Sequence, residues 1–75
     1  MIVNYGKVKM AFDRGVIDRL KAKTIDDIDI DQYDNEIMND AFLHGLTYST
    51  IQECITSIEN KFNIRLSNEN TLQNS

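Results

Sequence analysis

AFLHGLTYSTIQECITSIENKFNIRL, residues 41 to 66, is the stretch whose reading decides the fold. Within it Ile51, Ile55, Ile58 and Phe62 recur at intervals of four, three and four. That spacing lays them along one face of an α-helix and makes Ile55 a predicted core residue. Ser49 stands where an N-cap belongs, and Gln52 three positions later can return the hydrogen bond of a capping box. Asn63 closes the helix. Upstream, Asp34 or Asn35 is an N-cap for a shorter helix reaching about His44, with Glu36 and Asp40 toward its electropositive start. Gly45 then falls where a helix commonly ends in a left-handed residue, so a positive φ is expected there.

Working outward, Ile64 and Leu66 suit one short extended stretch, and the polar, Asn-rich residues 67–75 read as a disordered tail. Between Thr24 and Asp34 isoleucines are set among aspartates. Aspartate side chains compete for backbone hydrogen bonds, so a loop is expected. The first ten residues are ambiguous: Ile2, Val3, Tyr5 and Val8 suit a strand, whereas Tyr5, Val8, Phe12, Val16 and Leu20 form a helical stripe. We favour helix from about Lys7, with Gly15 breaking it and Val16 to Lys23 its firmest part. The expected architecture is all-α, a three-helix domain over residues 1–66 with a helix-turn-helix at residues 38–62, followed by the tail. No internal repeat is present.

Seventy-five residues bury only about 60% of their unfolded surface, so the core must be thin. Cys54 is the only cysteine and His44 the only histidine, which excludes an internal disulfide and a Cys/His zinc cluster. Self-association is the remaining source of stability, and a homodimer through the first segment is expected. No apolar run approaches the roughly 20 residues that cross a bilayer, and Met1 to Lys9 lacks a signal-peptide pattern, so the expected setting is cytoplasmic with no membrane partner. The absence of proline and the Asn, Asp and Ile content fit a low-GC bacterium or its phages.

The net charge of −4 hides an asymmetry. Residues 1–24 hold Lys7, Lys9, Arg14, Arg19, Lys21 and Lys23 against Asp13 and Asp18. Residues 25–40 hold Asp26, Asp27, Asp29, Asp31, Asp34, Glu36 and Asp40 with no base. Such a dipole serves nucleic-acid contact through its basic part, pairing between subunits, or plain solvation.

The small residue Ala41, the turn at Gly45, the plug Leu46 and the stripe from Ile51 resemble the helix-turn-helix of bacterial transcription regulators. After Ser49 the likeness is to the LysR and MarR type, carried by Ile51, Ile55, Ile58, Glu59, Arg65 and Leu66. The resemblance covers residues 41–66 and implies a small DNA-binding regulator. It places Thr47, Tyr48, Ser49, Gln52, Glu53 and Thr56 on the groove-facing side, where Gln and Thr read base edges and Ser or Thr holds phosphate. Lys21 and Lys23, with Lys7 and Lys9, are the candidate phosphate anchors, because Glu53 and Glu59 leave the second helix poor in cations. The alternative is an acidic protein-binding module of the phage or mobile-element type, working through Asp26 to Asp40.

A weaker resemblance links Phe42, Gly45, Leu46 and the helix from Ser49 to acyl carrier proteins. The aspartate that precedes the carrier serine in that family is missing, and an N-cap role for Ser49 is the simpler reading. Asp27, Asp29 and Asp31 occupy the first three ligand positions of an EF-hand loop, but Gln32 and Met38 stand where glycine and glutamate are needed. No nucleophile has an evident base: His44 reads as an exposed turn residue and Cys54 as structural. We therefore expect no enzyme, no metal and no cofactor.

Overall fold

Asn4 starts the first helix by accepting the Lys7 backbone N–H on Oδ1 at 3.2 Å. In the computed structural model, which describes residues 2 to 67, that helix, α1, runs Tyr5–Lys21 without a break. The start is two residues earlier than the sequence pattern suggested, and Gly15 does not divide it. Its buried residues Val8, Ala11, Phe12 and Gly15 follow the three-and-four spacing of a single face.

A second helix, α2 (Glu36–Leu46), begins at Asn35, whose side chain accepts from the N–H groups of Ile37 and Met38. It buries Ala41, Phe42 and Gly45. Lys7 and Met10 lie across from Asn35 and Met38, Gly15 meets Gly45, and Arg19 meets Tyr48, so α1 and α2 run side by side in the same direction. Two glycines explain how closely they approach. A Cβ on Gly15 would lie 2.1 Å from the Phe42 carbonyl oxygen, and one on Gly45 would lie 2.1 Å from that of Phe12.

This contact corrects two expectations. Gly45 is inside α2 with no positive φ, and its missing side chain serves helix packing instead of helix termination. The left-handed residue is Tyr48, at φ 66°. Gly15 costs helix propensity in exchange for the same close approach.

Because the two helices run in one direction, residues 22–35 must return along the domain. A 3-10 turn, Ile25–Asp27, opens this return. Here the aspartates serve the backbone: Asp27 Oδ2 accepts from Lys23 and Thr24, and Asp29 Oδ1 accepts from Asp31. Asn39 fastens the loop to α2 by accepting from the Tyr33 N–H and donating to the Ile30 carbonyl, both at 3.1 Å.

After the turn Thr47, Tyr48, Ser49 and Thr50 comes α3, Ile51–Phe62. Thr50 is its N-cap and Glu53 completes the capping box, displacing Ser49 and Gln52 from those expected roles by one residue. Asn63, at φ 52° and ψ 51°, ends the helix as expected. Cys54 and Ile58 are its buried residues, with Ile51 and Phe62 packed at the core edge and Ile55 half-buried. The apolar stripe faces inward on its Cys54 side, so Ile55 is a flank and not the centre.

The extended stretch near Ile64 is a strand, β2 (Arg65–Ser67), paired in parallel with β1 (Ile2–Asn4). Val3 sits opposite Leu66. The Leu66 N–H donates to Glu59 Oε2 at 3.0 Å, tying β2 to α3. Ser67 therefore belongs to the domain; the rest of the expected tail, residues 68–75, lies outside the described residues. The core joins all three helices through Val8, Ala11, Phe12, Ala41, Phe42, Cys54 and Ile58.

Candidate functional site

The turn and α3 bring most of the expected site residues together. Tyr48 is 81% exposed, and Gln52, Glu53 and Thr56 are exposed along one side of the helix. Tyr48 takes a left-handed backbone that is unfavourable for a bulky residue. The Arg19 guanidinium lies over its ring, 3.8 Å from the centroid, a cation–π contact that holds the side chain against α1. Arg19 Nε and Nη1 are buried and find no hydrogen-bond partner among the described residues.

Glu53 is less available than its exposure suggests. Its Oε1 accepts the Thr50 N–H at 3.0 Å while its own N–H donates to Thr50 Oγ1 at 3.1 Å. The Thr50 backbone N–H, then the Thr50 side chain, hold the Glu53 carboxyl below the usual carboxylate range. A base reader at this position would approach a carboxylate one of whose oxygens is already engaged in the cap.

Lys21 and Lys23 do not join this face. They line a hollow with Arg14, Asp18, Asp27 and Asp29. Two residues along a helix turn the side chain by about 200°, so Lys21 points away from the side on which Arg19 meets Tyr48. Other cations are committed locally. Lys9 pairs with Asp13 at 2.9 Å, Arg14 with Asp18 at 3.1 Å, and Lys61 with Asp40 at 3.0 Å.

His44, read from sequence as an exposed turn residue, is half-buried in the last turn of α2. Its Nδ1 lies 3.2 Å from Ser49 Oγ, and its Nε2 lies 3.4 Å from Asp40 Oδ2. Sequence reasoning missed this series; the spacing of four between Asp40 and His44 was its only trace. Among the described residues, no donor hydrogen-bonds to Asp40 Oδ2. The arrangement braces the turn against α2. Cys54 is fully buried, and burial first, then the nearby Asp40 charge, push its thiol up to about 11, which makes it a poor nucleophile.

Two further depressions share a wall. An apolar groove of about 390 Å³ lies between α1 and the start of α2, lined by Lys7, Met10, Ala11, Tyr33, Asn35 and Met38. Beyond Tyr33 is a hollow of about 490 Å³ containing Asp31, Asp34, Glu36, Asp40 and Lys61. Tyr33 lines both and packs edge-on against Phe42, with centroids 5.8 Å apart. Among the described residues no group of three His, Cys, Asp or Glu is placed to hold a metal ion, and no helix is long and apolar enough to cross a membrane.

Comparison of the chain with known proteins returned no matching family model, no matching curated protein and no matching solved structure.

Proposed function

We propose that this chain is a small protein-binding module whose working surface is the acidic loop before α2 together with the first turns of α2. One observation carries the reading: the acidic hollow and the apolar groove adjoin at Tyr33, and the hollow's only cation is already paired with Asp40. Among the described residues, the Asp31, Asp34 and Glu36 carboxylates stand beside that junction without an ion pair of their own. An apolar depression with a charged rim is the usual anatomy of a specific protein contact.

DNA binding is the second reading. It is supported by the exposed side chains around the four-residue turn and by Arg19 beside Tyr48. Against it stands the chemistry of α3, which has Glu53 and Glu59 and no cation before Lys61. Phosphate neutralisation dominates most protein–DNA affinity, and Lys21 and Lys23 lie among aspartates instead.

Two measurements separate the readings. Titration of a fluorescent random duplex at low salt should show no binding by wild-type protein. Saturable duplex binding that weakens on Arg19→Ala would restore the regulator. A protein partner retained by wild type and lost by the double variant Asp34→Asn, Glu36→Gln, then reproduced with purified partner, would establish the binding module.

A further inference from the structure

Resting on the protein-binding reading, we infer that the partner contributes a basic amphipathic segment, with one large apolar side chain in the Met10–Met38 groove and a lysine or arginine in the neighbouring acidic hollow. Both halves of that description come from the surface itself. The groove is walled by two methionines and a tyrosine ring, and Met10, at its α1 edge, is 72% exposed. Methionine is unbranched and polarisable, so a groove built from it adapts to leucine, methionine or phenylalanine alike.

Charge selects the rest of the ligand. Four carboxylates, from Asp31, Asp34, Glu36 and Asp40, face the hollow with Lys61 as the single opposing cation. The other cation at this surface, Lys7, lines the apolar groove on the α1 side, across from Tyr33. A segment lying over Tyr33 therefore meets a negative field at one end and an apolar seat at the other. Like charge in the hollow would be repelled, which excludes an acidic segment in the same pose.

The surface is also held in place before anything binds. Asn39 ties the Ile30 carbonyl and the Tyr33 N–H to α2, and Tyr33 rests on the buried Phe42 ring. The wall between the two depressions thus does not have to be ordered at the moment of contact, which lowers the entropic cost of association.

Three synthetic peptides of equal length make the probe: amphipathic leucine–lysine, amphipathic leucine–glutamate, and lysine–serine with no apolar face. Each is titrated by fluorescence anisotropy against wild type, Met10→Ser, and Asp34→Asn with Glu36→Gln. The leucine–lysine peptide should bind best. Met10→Ser should weaken it about tenfold, the loss expected when roughly two buried methylene equivalents disappear. The acidic double variant should weaken it mainly at low salt, because rim charges are screened. Met10 is exposed, so its serine variant tests the groove without removing a core residue.

Equal binding of lysine–serine would overturn the groove, leaving only attraction by charge. Equal binding of leucine–glutamate would overturn the basic specificity while leaving protein binding in place. Binding of duplex but of no peptide would overturn both this inference and the reading beneath it. Sedimentation showing a dimer that Met10→Ser dissolves would assign the groove to a second copy of the chain and overturn the peptide proposal.

Discussion

Replacing Gly15 with alanine separates two physical effects of opposite sign. On helix propensity alone the substitution stabilises α1 by about 1 kcal/mol, since glycine in a helix interior surrenders the most backbone freedom. Packing opposes this. The new methyl would lie 2.1 Å from the Phe42 carbonyl oxygen, and 3.0 Å from both Gly45 Cα and Leu46 N. All three are backbone atoms, so no side chain can rotate aside, and the first contact is more than an ångström short of ordinary van der Waals separation. The helices must part, and Val8, Phe12, Ala41 and Phe42 lose contact with them. Overpacking costs roughly 1 to 3 kcal/mol where side chains can adjust, and a backbone clash belongs at or above the top of that range. The net effect expected is a loss of about 2 kcal/mol, large against the roughly 3 to 5 kcal/mol that a core of this size supplies. Urea unfolding followed by circular dichroism at 25 °C reads it directly, and the melting temperature should fall by about 8 to 16 °C. Gly15→Ala with Gly45→Ala should cost less than the sum of the single changes, because helices already parted by one methyl accommodate the second. A Gly15→Ala protein as stable as wild type or more so would falsify the close helix contact.

Two other outcomes follow from the core. Ile58→Ala should cost about 2 to 5 kcal/mol in the same unfolding assay, whereas Ile55→Ala at the half-buried flank should cost clearly less; the reverse order would return the stripe to its sequence-predicted centre. Cys54 should resist alkylation in the folded protein and react on unfolding. Its thiol ionises near its ordinary value of 9.0 in the unfolded chain but only near about 11 in the fold. The unfolded state therefore binds fewer protons between those values, and stability should fall as pH rises from about 9 to about 11, a decline that Cys54→Ala removes.

The reach of the sequence reading varied with how local each signal was. Asn35 and Asn63 mark helix ends through bonds to residues within a turn, and such bonds can be read from a string of residues. The isoleucine period at residues 51–62 gave the existence of α3 for the same reason. Its inward direction could not be read, because Cys54 and Ile55 lie only about 100° apart and the choice between them belongs to α1 and α2. Gly15 and Gly45 were misread through the same limitation. A glycine is taken locally as a breaker or a turn, yet here each has meaning only in the presence of the other, thirty positions away. The pairing of β1 with β2 joins residues still further apart, so extended segments were legible at both ends while their pairing, with no hairpin between them, left no local mark.

The same distinction explains why the proposed surface differs from the one read along the chain. Counted along the chain, Lys21 and Lys23 are simply positive and Asp26 to Asp40 simply negative. Folding distributes them by helix face. It turns Lys21 away from the face that Arg19 presents to Tyr48, uses Asp27 and Asp29 as local caps, and pairs Asp40 with Lys61, while leaving Asp31, Asp34 and Glu36 beside an apolar groove. What chain order presented as one basic arm and one acidic arm becomes a surface where a few unpaired carboxylates adjoin exposed methionine. In the proposed reading that local combination, more than net charge, sets the chemistry of a partner: a cation alone would gain little from solvated carboxylates, and an apolar side chain alone would find no orientation. A segment carrying both satisfies the two demands together.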